Sequence, residues 1–391
     1  MERKLGISLY PEHSTKEKDM AYISAAARHG FSRIFTCLLS VNRPKEEIVA
    51  EFKEIINHAK DNNMEVILDV APAVFDQLGI SYSDLSFFAE LGADGIRLDV
   101  APAVFDQLGI SYSDLSFFAE LGADGIRLDV GFDGLTEAKM TNNPYGLKIE
   151  LNVSNDIAYL ENILSHQANK SALIGCHNFY PQKFTGLPYD YFIRCSERFK
   201  KHGIRSAAFI TSHAANIGPW DINDGLCTLE EHRNLPIEVQ AKHLWATGLI
   251  DDVIIGNAYA SEEELEKLGN LNRYMLQLKV HFVDEATEVE KRATLQELHV
   301  RRGDITEYMV RSTEVRKKYK DYDFPVRESV LQERGQVVIG NNSFGKYKGE
   351  LQIILKEMPI DERKNIVGTI AEEELFLLDY VGAWTQFTCV E

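Results

Sequence analysis

The sequence predicts a parallel α/β barrel of the TIM type, with eight strands, followed by a small β-rich domain. Short β-branched runs alternate with amphipathic segments over the first 280 residues, a pattern typical of parallel α/β folds. A stretch of 30 residues occurs twice without a change, and discounting one copy leaves eight strands. After residue 280, short strands lie between Gly- and Asn-containing turns, which indicates a second domain.

The composition excludes several classes of protein. The 391 residues are 45% hydrophobic and 26% charged, which is typical of a globular protein rather than a disordered one. Lys and Arg number 42 against 60 Asp and Glu, and the net charge of −18 argues against binding nucleic acid or an anionic membrane. It leaves room for one anionic small ligand held by local arginines.

We expect a cytoplasmic protein. No apolar run reaches the roughly 20 residues that a membrane span needs, and Met1 to Lys4 lead into the first strand without the features of a secretory signal. The five cysteines are scattered and odd in number, which indicates reduced thiols. The sequence does not predict the oligomeric state.

Nine strands are predicted in the first domain, residues 1–280. They cover residues 5–9, 33–38, 65–70, 95–100, 125–130, 147–153, 172–176, 205–210 and 252–256. Helical segments lie between most of them, and Ser14-x-x-Glu17 and Ser261-x-x-Glu264 have the spacing of helix-capping boxes. This alternation predicts a parallel sheet, and eight strands are the number that closes a TIM barrel.

The ninth strand comes from the duplication. Residues 101–130 repeat residues 71–100, and each copy carries one helix and one strand that ends in Leu-Asp-Val. Without one copy the chain has 361 residues (391 − 30) and eight barrel strands. A ninth strand would disturb the shear and layered packing of the barrel, so we expect the extra unit to lie outside it. Because the copies are identical, the sequence does not show which one occupies the native position.

The second domain is predicted over residues 281–391. Four short strands are expected, at residues 280–283, 295–300, 337–339 and 350–355. Turn signals at Gly340-Asn341-Asn342 and Gly345-Lys346-Tyr347 separate the last of them. The pattern alone gives this domain no function.

Candidate site residues follow from the rule that TIM barrels bind substrates at the carboxyl ends of their strands. That rule selects, in chain order, Tyr10, Asp129, Glu150, Asn152, His177, Asn178 and Tyr180. Glu150 and Asn152 alternate along one strand and therefore share a face, which is either the barrel interior or its outside. His177 is either a ligand-binding residue or a buried, satisfied histidine. Asp129 is either a site residue or a loop cap.

A long loop after the strand at 205–210 adds further candidates, since long ordered loops are often functional. Thr228-x-x-Glu231 has capping-box spacing, so Glu231 is expected to be structural and Glu230 to be free for chemistry. Trp220 in this loop, like Tyr180, would either stack on a sugar ring or pack in the core.

The residue inventory favours carbohydrate chemistry. The sequence has no H-x-x-x-H or H-E-x-x-H spacing, no P-loop, no G-x-G-x-x-G and no G-x-S-x-G. No metal and no cofactor are therefore predicted. Carboxylates, amides, hydroxyls and aromatic rings around a barrel mouth suit glycoside hydrolysis, in which two carboxyl groups divide the acid and the base or nucleophile roles.

Several segments resemble one bacterial family, the 6-phospho-N-acetylmuramidases. The segments that carry the resemblance are Leu5-Gly6-Ile7-Ser8-Leu9-Tyr10-Pro11, Phe31-x-Arg33-Ile34-Phe35-Thr36, His177-Asn178-Phe179-Tyr180-Pro181, Leu226-x-Thr228-Leu229-Glu230-x-His232-Arg233 and Met309-Val310-Arg311-Ser312. They span the chain apart from the duplicated residues. The resemblance implies a TIM barrel followed by a cyclophilin-like β domain.

The resemblance also implies an activity, hydrolysis of the β-1,4 bond of MurNAc-6-phosphate–GlcNAc during peptidoglycan recycling. On this basis we expect Asp129 and Glu230 to be the catalytic carboxylates, with Glu150 as the next choice. The expected substrate-binding residues are Tyr10, Asn152, His177, Asn178 and Tyr180 for the sugars, and Arg233 or Arg311 with Ser312 for the phosphate. The expected partner is this small sugar phosphate.

Two other functions stay open at this point. One is a different TIM-barrel enzyme of sugar phosphates, such as a lyase or epimerase, which a metal requirement would favour. The other is a non-catalytic muropeptide-binding protein, in which the duplication has displaced a catalytic aspartate. The carboxyl separation that distinguishes retention from inversion is not given by the sequence.

Overall fold

The computed structural model describes residues 2–38, 45–70, 95–99, 125–128, 132–144, 146–155, 157–328 and 330–391. The chain divides into two compact units, Met1–Leu244 with Gly248–Asn270 and Trp245–Thr247 with Leu271–Glu391. The predicted boundary near residue 280 falls inside the strand Leu276–Phe282, which pairs within the sheet of the second unit.

The first unit is a closed barrel of parallel strands. Its strands are β1 (Leu5–Leu9), β2 (Arg33–Leu38), β3 (Glu65–Val70), β4 (Gly95–Asp99), β5 (Gly125–Leu128), β6 (Lys148–Asn152), β7 (Leu173–Cys176), β8 (Arg205–Ile210) and β9 (Asp252–Ile255). Each strand pairs with the next along the chain, and β9 pairs with β1 to close the ring. The predicted class, a TIM-type barrel followed by a β-rich domain, is confirmed.

The place predicted for the extra unit is wrong, because β4 is a strand of the barrel. Val70 of β3 pairs with Leu98 of β4, and Asp99 of β4 pairs with Arg127 of β5. The barrel therefore has nine strands instead of eight. A strand left outside the barrel would expose unpaired backbone N–H and C=O groups. Between β3 and β5, both edges of β4 are paired.

The helices of the first unit follow the strands. They cover Lys16–Arg28, Lys45–Asp61, Leu135–Met140, Tyr159–Ser165, Tyr189–Lys201, Ile237–Ala246 and Glu262–Gly269. The capping box at Ser261 and Glu264 is confirmed, whereas the first helix is capped by Thr15, one residue after the predicted Ser14. No helix in the described part of the chain is both long enough and apolar enough to cross a membrane.

The second unit is built on a sheet of seven strands. These are β10 (Leu276–Phe282), β11 (His299–Val300), β12 (Met309–Ser312), β13 (Gln336–Gly340), β14 (Leu351–Ile354), β15 (Lys364–Ile370) and β16 (Gln386–Val390), in the order β11-β16-β10-β15-β13-β14-β12. Two helices, Glu288–Leu295 and Thr313–Tyr319, belong to the same unit. The expectation of a β-rich domain is confirmed.

Candidate active site

A chain of polar side chains joins three neighbouring strands of the barrel. Arg127 of β5 lies opposite Glu150 of β6 in the strand register, and its Nη1 donates to Glu150 Oε1 at 3.0 Å. The other terminal nitrogen of Arg127 donates to Oδ1 of Asn178, which follows β7. Arg127 and Glu150 are 6% and 2% exposed. Glu150 also lies 3.9 Å from Arg33 of β2, a strand that is not a neighbour of β6, which places it in the barrel interior, the first of the two alternatives that its sequence pattern allowed.

A second arginine approaches the same carboxylate. Arg33 Nη2 lies 3.9 Å from Glu150 Oε2, and Arg33 Nη1 donates to Asp252 at 3.1 Å. Asp252 also pairs with Arg205 at the start of β8. Buried charges are tolerated only when they are paired in this way. The interior of the barrel is thus a charged network that ends in Glu150, Arg127 and Asn178.

Asn152 and His177 differ in their exposure and in their contacts near the Arg127–Glu150–Asn178 group. Asn152 is partly exposed at the end of β6, and its side-chain oxygen accepts from the N–H of Ser154 at 2.8 Å. His177 is fully buried, with Nδ1 3.2 Å from Ser154 Oγ and Nε2 2.9 Å from Ser196 Oγ. Burial lowers the pKa of His177 to about 3. The geometry favours the satisfied, buried histidine over a direct ligand contact.

Ser154 links His177 to the backbone of the site. The N–H of Asn178 donates to Ser154 Oγ at 2.9 Å, and Thr228 Oγ1 donates to the Asn178 carbonyl at 2.9 Å. Thr228 Oγ1 also accepts from the N–H of Phe209 at 2.9 Å. The expected capping box of Thr228 and Glu231 is therefore wrong, because the hydroxyl is used to join the ends of β7 and β8.

Glu230 is held by four hydrogen bonds. Its Oε1 accepts from the N–H of Phe184 at 2.9 Å and from Arg233 Nε at 2.8 Å, and its Oε2 accepts from the N–H of Gly186 at 2.8 Å and from Arg233 Nη2 at 2.7 Å. The Arg233 guanidinium lowers the pKa of Glu230 to about 2, and the two backbone N–H groups act in the same direction against desolvation. A carboxylate so stabilised is a poor general acid.

The Arg233 guanidinium, like the Glu230 carboxylate, makes several hydrogen bonds within the protein. Besides Glu230, it donates through Nη1 to the carbonyls of Tyr180 at 3.1 Å and Gly225 at 2.9 Å. Only 2% of its side chain is exposed. Arg233 thus ties the loop of residues 211–233 to the segment after β7, and this geometry disfavours it as the phosphate ligand.

The two tyrosines predicted to bind the sugar differ in accessibility. Tyr10 is 2% exposed, and its hydroxyl donates to the carbonyl of Gly256. Tyr180 is partly exposed, and its backbone pairs with Cys227. Close to Tyr180 in sequence, Phe179 packs against Phe209 of β8 with ring centroids 5.0 Å apart.

An exposed tryptophan extends this aromatic group. The Trp220 ring lies 5.9 Å from that of Phe179, and Trp220 is 53% exposed. An aromatic ring that packs on one face and is open on the other can stack on a sugar. Of the two alternatives given for Trp220, the exposure favours the stacking role.

The phosphate candidates of the second unit also differ. Ser312 is 1% exposed, with its hydroxyl 3.0 Å from His299 Nδ1, so the geometry disfavours direct ligand contact. Arg311 Nε donates to Glu350 Oε1 at 2.7 Å, and Arg316 Nη1 donates to Glu350 Oε2 at 2.6 Å. Two arginines share one buried carboxylate, which leaves a net positive charge at this point of the surface.

Asp129 lies outside the described residues. Sequence reasoning missed Arg127 and Arg33, which flank Glu150. A charged residue inside a strand is itself the signal that could have found them, since arginine rarely occupies a barrel interior without a paired carboxylate. It also missed a cluster of Glu231, His232 and His243, whose ligand atoms lie within 4.8 Å of one another and could hold a metal ion.

Fold and site together define a TIM-type barrel with a charged and amide-lined interior, carrying a separate β-rich domain. The sequence matches the profile of the 6-phospho-N-acetylmuramidase N-terminal domain over residues 5–101 and 98–270, and that of the C-terminal domain over residues 276–390. The chain therefore belongs to the 6-phospho-N-acetylmuramidase family. The two segments of the N-terminal match overlap at the junction of the duplicated copies.

Two solved structures resemble the chain over its whole length. The crystal structure of an uncharacterized B. cereus protein is 88% identical, covers 100% of both chains and has a TM-score of 0.84. That of a conserved Enterococcus faecalis protein with an unknown function is 24% identical, covers 99% of this chain and 96% of that chain, and has a TM-score of 0.64. The latter likeness shows the fold alone. No curated protein matches the sequence.

Proposed function

We propose that the chain is a cytoplasmic glycoside hydrolase that cleaves the β-1,4 bond of MurNAc-6-phosphate–GlcNAc in peptidoglycan recycling. The observation that carries the proposal is the match to both domains of the 6-phospho-N-acetylmuramidase family. The Arg127–Glu150–Asn178 group supports it, since it joins a carboxylate in the barrel interior to an amide just after β7, and carboxylates and amides are the groups that hydrolyse and orient a glycoside.

We assign Glu150 and Asp129 as the two carboxylates. The four hydrogen bonds of Glu230 support a positioning role for it, because each of its oxygens already accepts two hydrogen bonds from the protein. Asn152 and Asn178 offer amide groups to the hydroxyl and acetamido groups of the substrate. Trp220 offers an aromatic face to a sugar ring.

We assign the recognition of the 6-phosphate to Arg311. It is partly exposed (22% of the side chain), and Arg316, which shares its carboxylate partner, is exposed to a similar extent (25%). Nε and Nη2 of Arg311 donate to Glu350 at 2.7 and 3.3 Å, so Arg311 offers the phosphate its positive charge and its Nη1 hydrogens. Arg311→Ala should reduce cleavage of the phosphorylated disaccharide about tenfold or more and leave the unphosphorylated one unchanged. An equal loss on both substrates would refute the assignment.

The experiment that tests the function compares MurNAc-6-phosphate–GlcNAc with the unphosphorylated disaccharide and follows free GlcNAc. Selective release from the phosphorylated sugar is the expected result. Thermal stabilisation by the disaccharide without turnover would instead identify a muropeptide-binding protein. The strand β4 favours this second function, because an inserted strand directly precedes β5 and Arg127.

A further inference from the structure

A pair of histidines forms a cluster that the proposed hydrolysis does not use. His232 belongs to a short 3-10 helix, Glu230–His232, and His243 to the helix Ile237–Ala246. Nε2 of His232 and Nδ1 of His243 lie 2.8 Å apart. Both residues are buried, at 0% and 1% exposure. Since a hydrogen bond holds one proton, one of these two nitrogens is the donor and the other the acceptor.

A carboxylate completes the cluster. Glu231 Oε1 lies 3.5 Å from His243 Nδ1, and the Glu231 side chain is 47% exposed. The ligand atoms of the three residues all lie within 4.8 Å of one another. Two imidazole nitrogens and one carboxylate oxygen are a ligand set of zinc sites that keep a position open for water.

The electrostatics of the cluster favour a cation. The charge of Asp190 acts on Glu231, so a second carboxylate lies close enough to the cluster to interact with a bound cation. The nearest arginine in sequence, Arg233, is neutralised by its bidentate pair with Glu230.

The hydrogen bonding of His232 is incomplete. Nδ1 of His232 is buried and has no hydrogen-bond partner among the described residues. His243 is fixed from the other side by Tyr189, whose ring stacks on it with centroids 5.3 Å apart. The two rings are thus held in place, and the atom left without a partner is Nδ1 of His232.

We propose that Glu231, His232 and His243 form a binding site for a divalent transition metal ion of the zinc class. The ion takes the place of the shared proton, which moves to the far nitrogen of its ring. With zinc–nitrogen distances of about 2.0–2.1 Å and tetrahedral angles, two nitrogens on one ion lie about 3.3–3.4 Å apart. From the 2.8 Å of the hydrogen bond the two nitrogens must therefore separate by about half an ångström, and both rings must turn toward the ion. The site joins the end of the loop of residues 211–233 to the helix that follows it, and the fourth position of the ion is left to water.

The test uses the full chain, freed of any affinity tag, stripped with a chelator and desalted. Zn²⁺ is titrated by calorimetry, and Co²⁺ is used as a probe whose visible absorption reports its ligands. The expected result is one equivalent bound with a Kd of about 1 μM or below, together with a rise in Tm on adding Zn²⁺. Hydrolytic activity is not a readout, so this test and that of the proposed function fail independently.

The variants locate the site. Glu231→Gln changes a half-exposed side chain and should weaken Zn²⁺ binding about tenfold or more, and His243→Gln should abolish the stoichiometric step. His166→Gln, at an exposed histidine, is the matched control and should bind as the unaltered chain does. The proposal is overturned if the folded, unaltered chain binds no equivalent of Zn²⁺. It is also overturned if binding is unchanged in both Glu231→Gln and His243→Gln.

Discussion

Glu150 is the carboxylate on which the barrel interior depends most. It is buried between Arg127 at 3.0 Å and Arg33 at 3.9 Å. Removing one partner of a buried ion pair leaves an uncompensated charge, which costs about 3–5 kcal/mol. Glu150→Gln should therefore lower the free energy of unfolding by about 3 kcal/mol, measured by urea denaturation.

The control for Glu150 is Glu161. Glu161 pairs with Arg198 at 2.9 Å, but about a third of each side chain is exposed. Exposed pairs contribute about 0–1 kcal/mol, so Glu161→Gln should change stability by less than that. Equal effects of the two substitutions would contradict the buried pairing of Glu150.

The contribution of Glu230 to the free energy of unfolding should depend on pH. The pKa of Glu230 is lowered to about 2 by Arg233, whereas an unfolded chain has the ordinary value of about 4.3. Between these two pH values the unfolded state binds more protons, so the contribution of Glu230 is complete above about pH 4.3 and is lost as the pH falls towards 2. The stability difference between the unaltered chain and Glu230→Gln should shrink across this window in denaturation experiments. A stability difference that is independent of pH would contradict the stabilisation of the Glu230 carboxylate by Arg233.

For single residues, the sequence predicts which face of a strand a side chain occupies but not which residues that side chain contacts. The alternation of Glu150 and Asn152 limits them to one face of a strand, and the approach of Arg33 from the non-adjacent strand β2 to Glu150 then shows that this face is the barrel interior. That Arg127 lies opposite Glu150 depends on the register of β5 against β6, a non-local property that no local pattern contains. The contact of His232 with His243 likewise depends on how a loop returns to a helix.

Among the elements, the segment after β7 and the end of the long loop are joined at Gly186. A Cβ there would lie 2.7 Å from Glu230 Oε2 and 2.8 Å from the Glu230 backbone nitrogen, closer than side chains and backbone approach. Gly186→Ala should therefore separate the two segments and destabilise the protein by about 1–3 kcal/mol, as measured by thermal and urea unfolding.

A glycine in open surroundings is the matched control. A Cβ at Gly382 would lie 3.7 Å from Thr385 Oγ1, an ordinary van der Waals contact. Gly382→Ala should leave stability within about 0.5 kcal/mol of the unaltered chain. If Gly186→Ala is equally neutral, the close packing of Glu230 on Gly186 is wrong.

The barrel strands are predictable at the element scale because each is a short β-branched run between polar caps. In the second unit, Met309–Ser312, Lys364–Ile370 and Gln386–Val390 were not predicted as strands. Lys364 to Thr369 mixes polar and apolar residues, and tertiary pairing with β10 and β13 decides its structure. The position of β4 could not be predicted either, because identical copies have identical local preferences.

For the whole molecule, buried histidines predict acid sensitivity. Burial lowers the pKa of His177 to about 3 and that of His243 to about 4, and that of His232 well below its usual value. The unfolded state therefore binds more protons below about pH 6.5, so stability falls as the pH drops from 6.5 to 5. Each histidine should account for about 2 kcal/mol over this range. An unfolding free energy that is constant from pH 7 to 5 would contradict their neutral burial.

We propose that this barrel, with its ninth strand, derives from a 6-phospho-N-acetylmuramidase whose site lies at Glu150 and Arg127. The most direct measurement is the release of GlcNAc from MurNAc-6-phosphate–GlcNAc by the 391-residue chain and by a 361-residue form that lacks one copy (391 − 30). We predict cleavage by the 361-residue form and the same selectivity for the phosphorylated sugar, with equal or lower activity, in the longer chain. Absence of cleavage by a folded 361-residue form would contradict the assignment of a 6-phospho-N-acetylmuramidase site to this barrel.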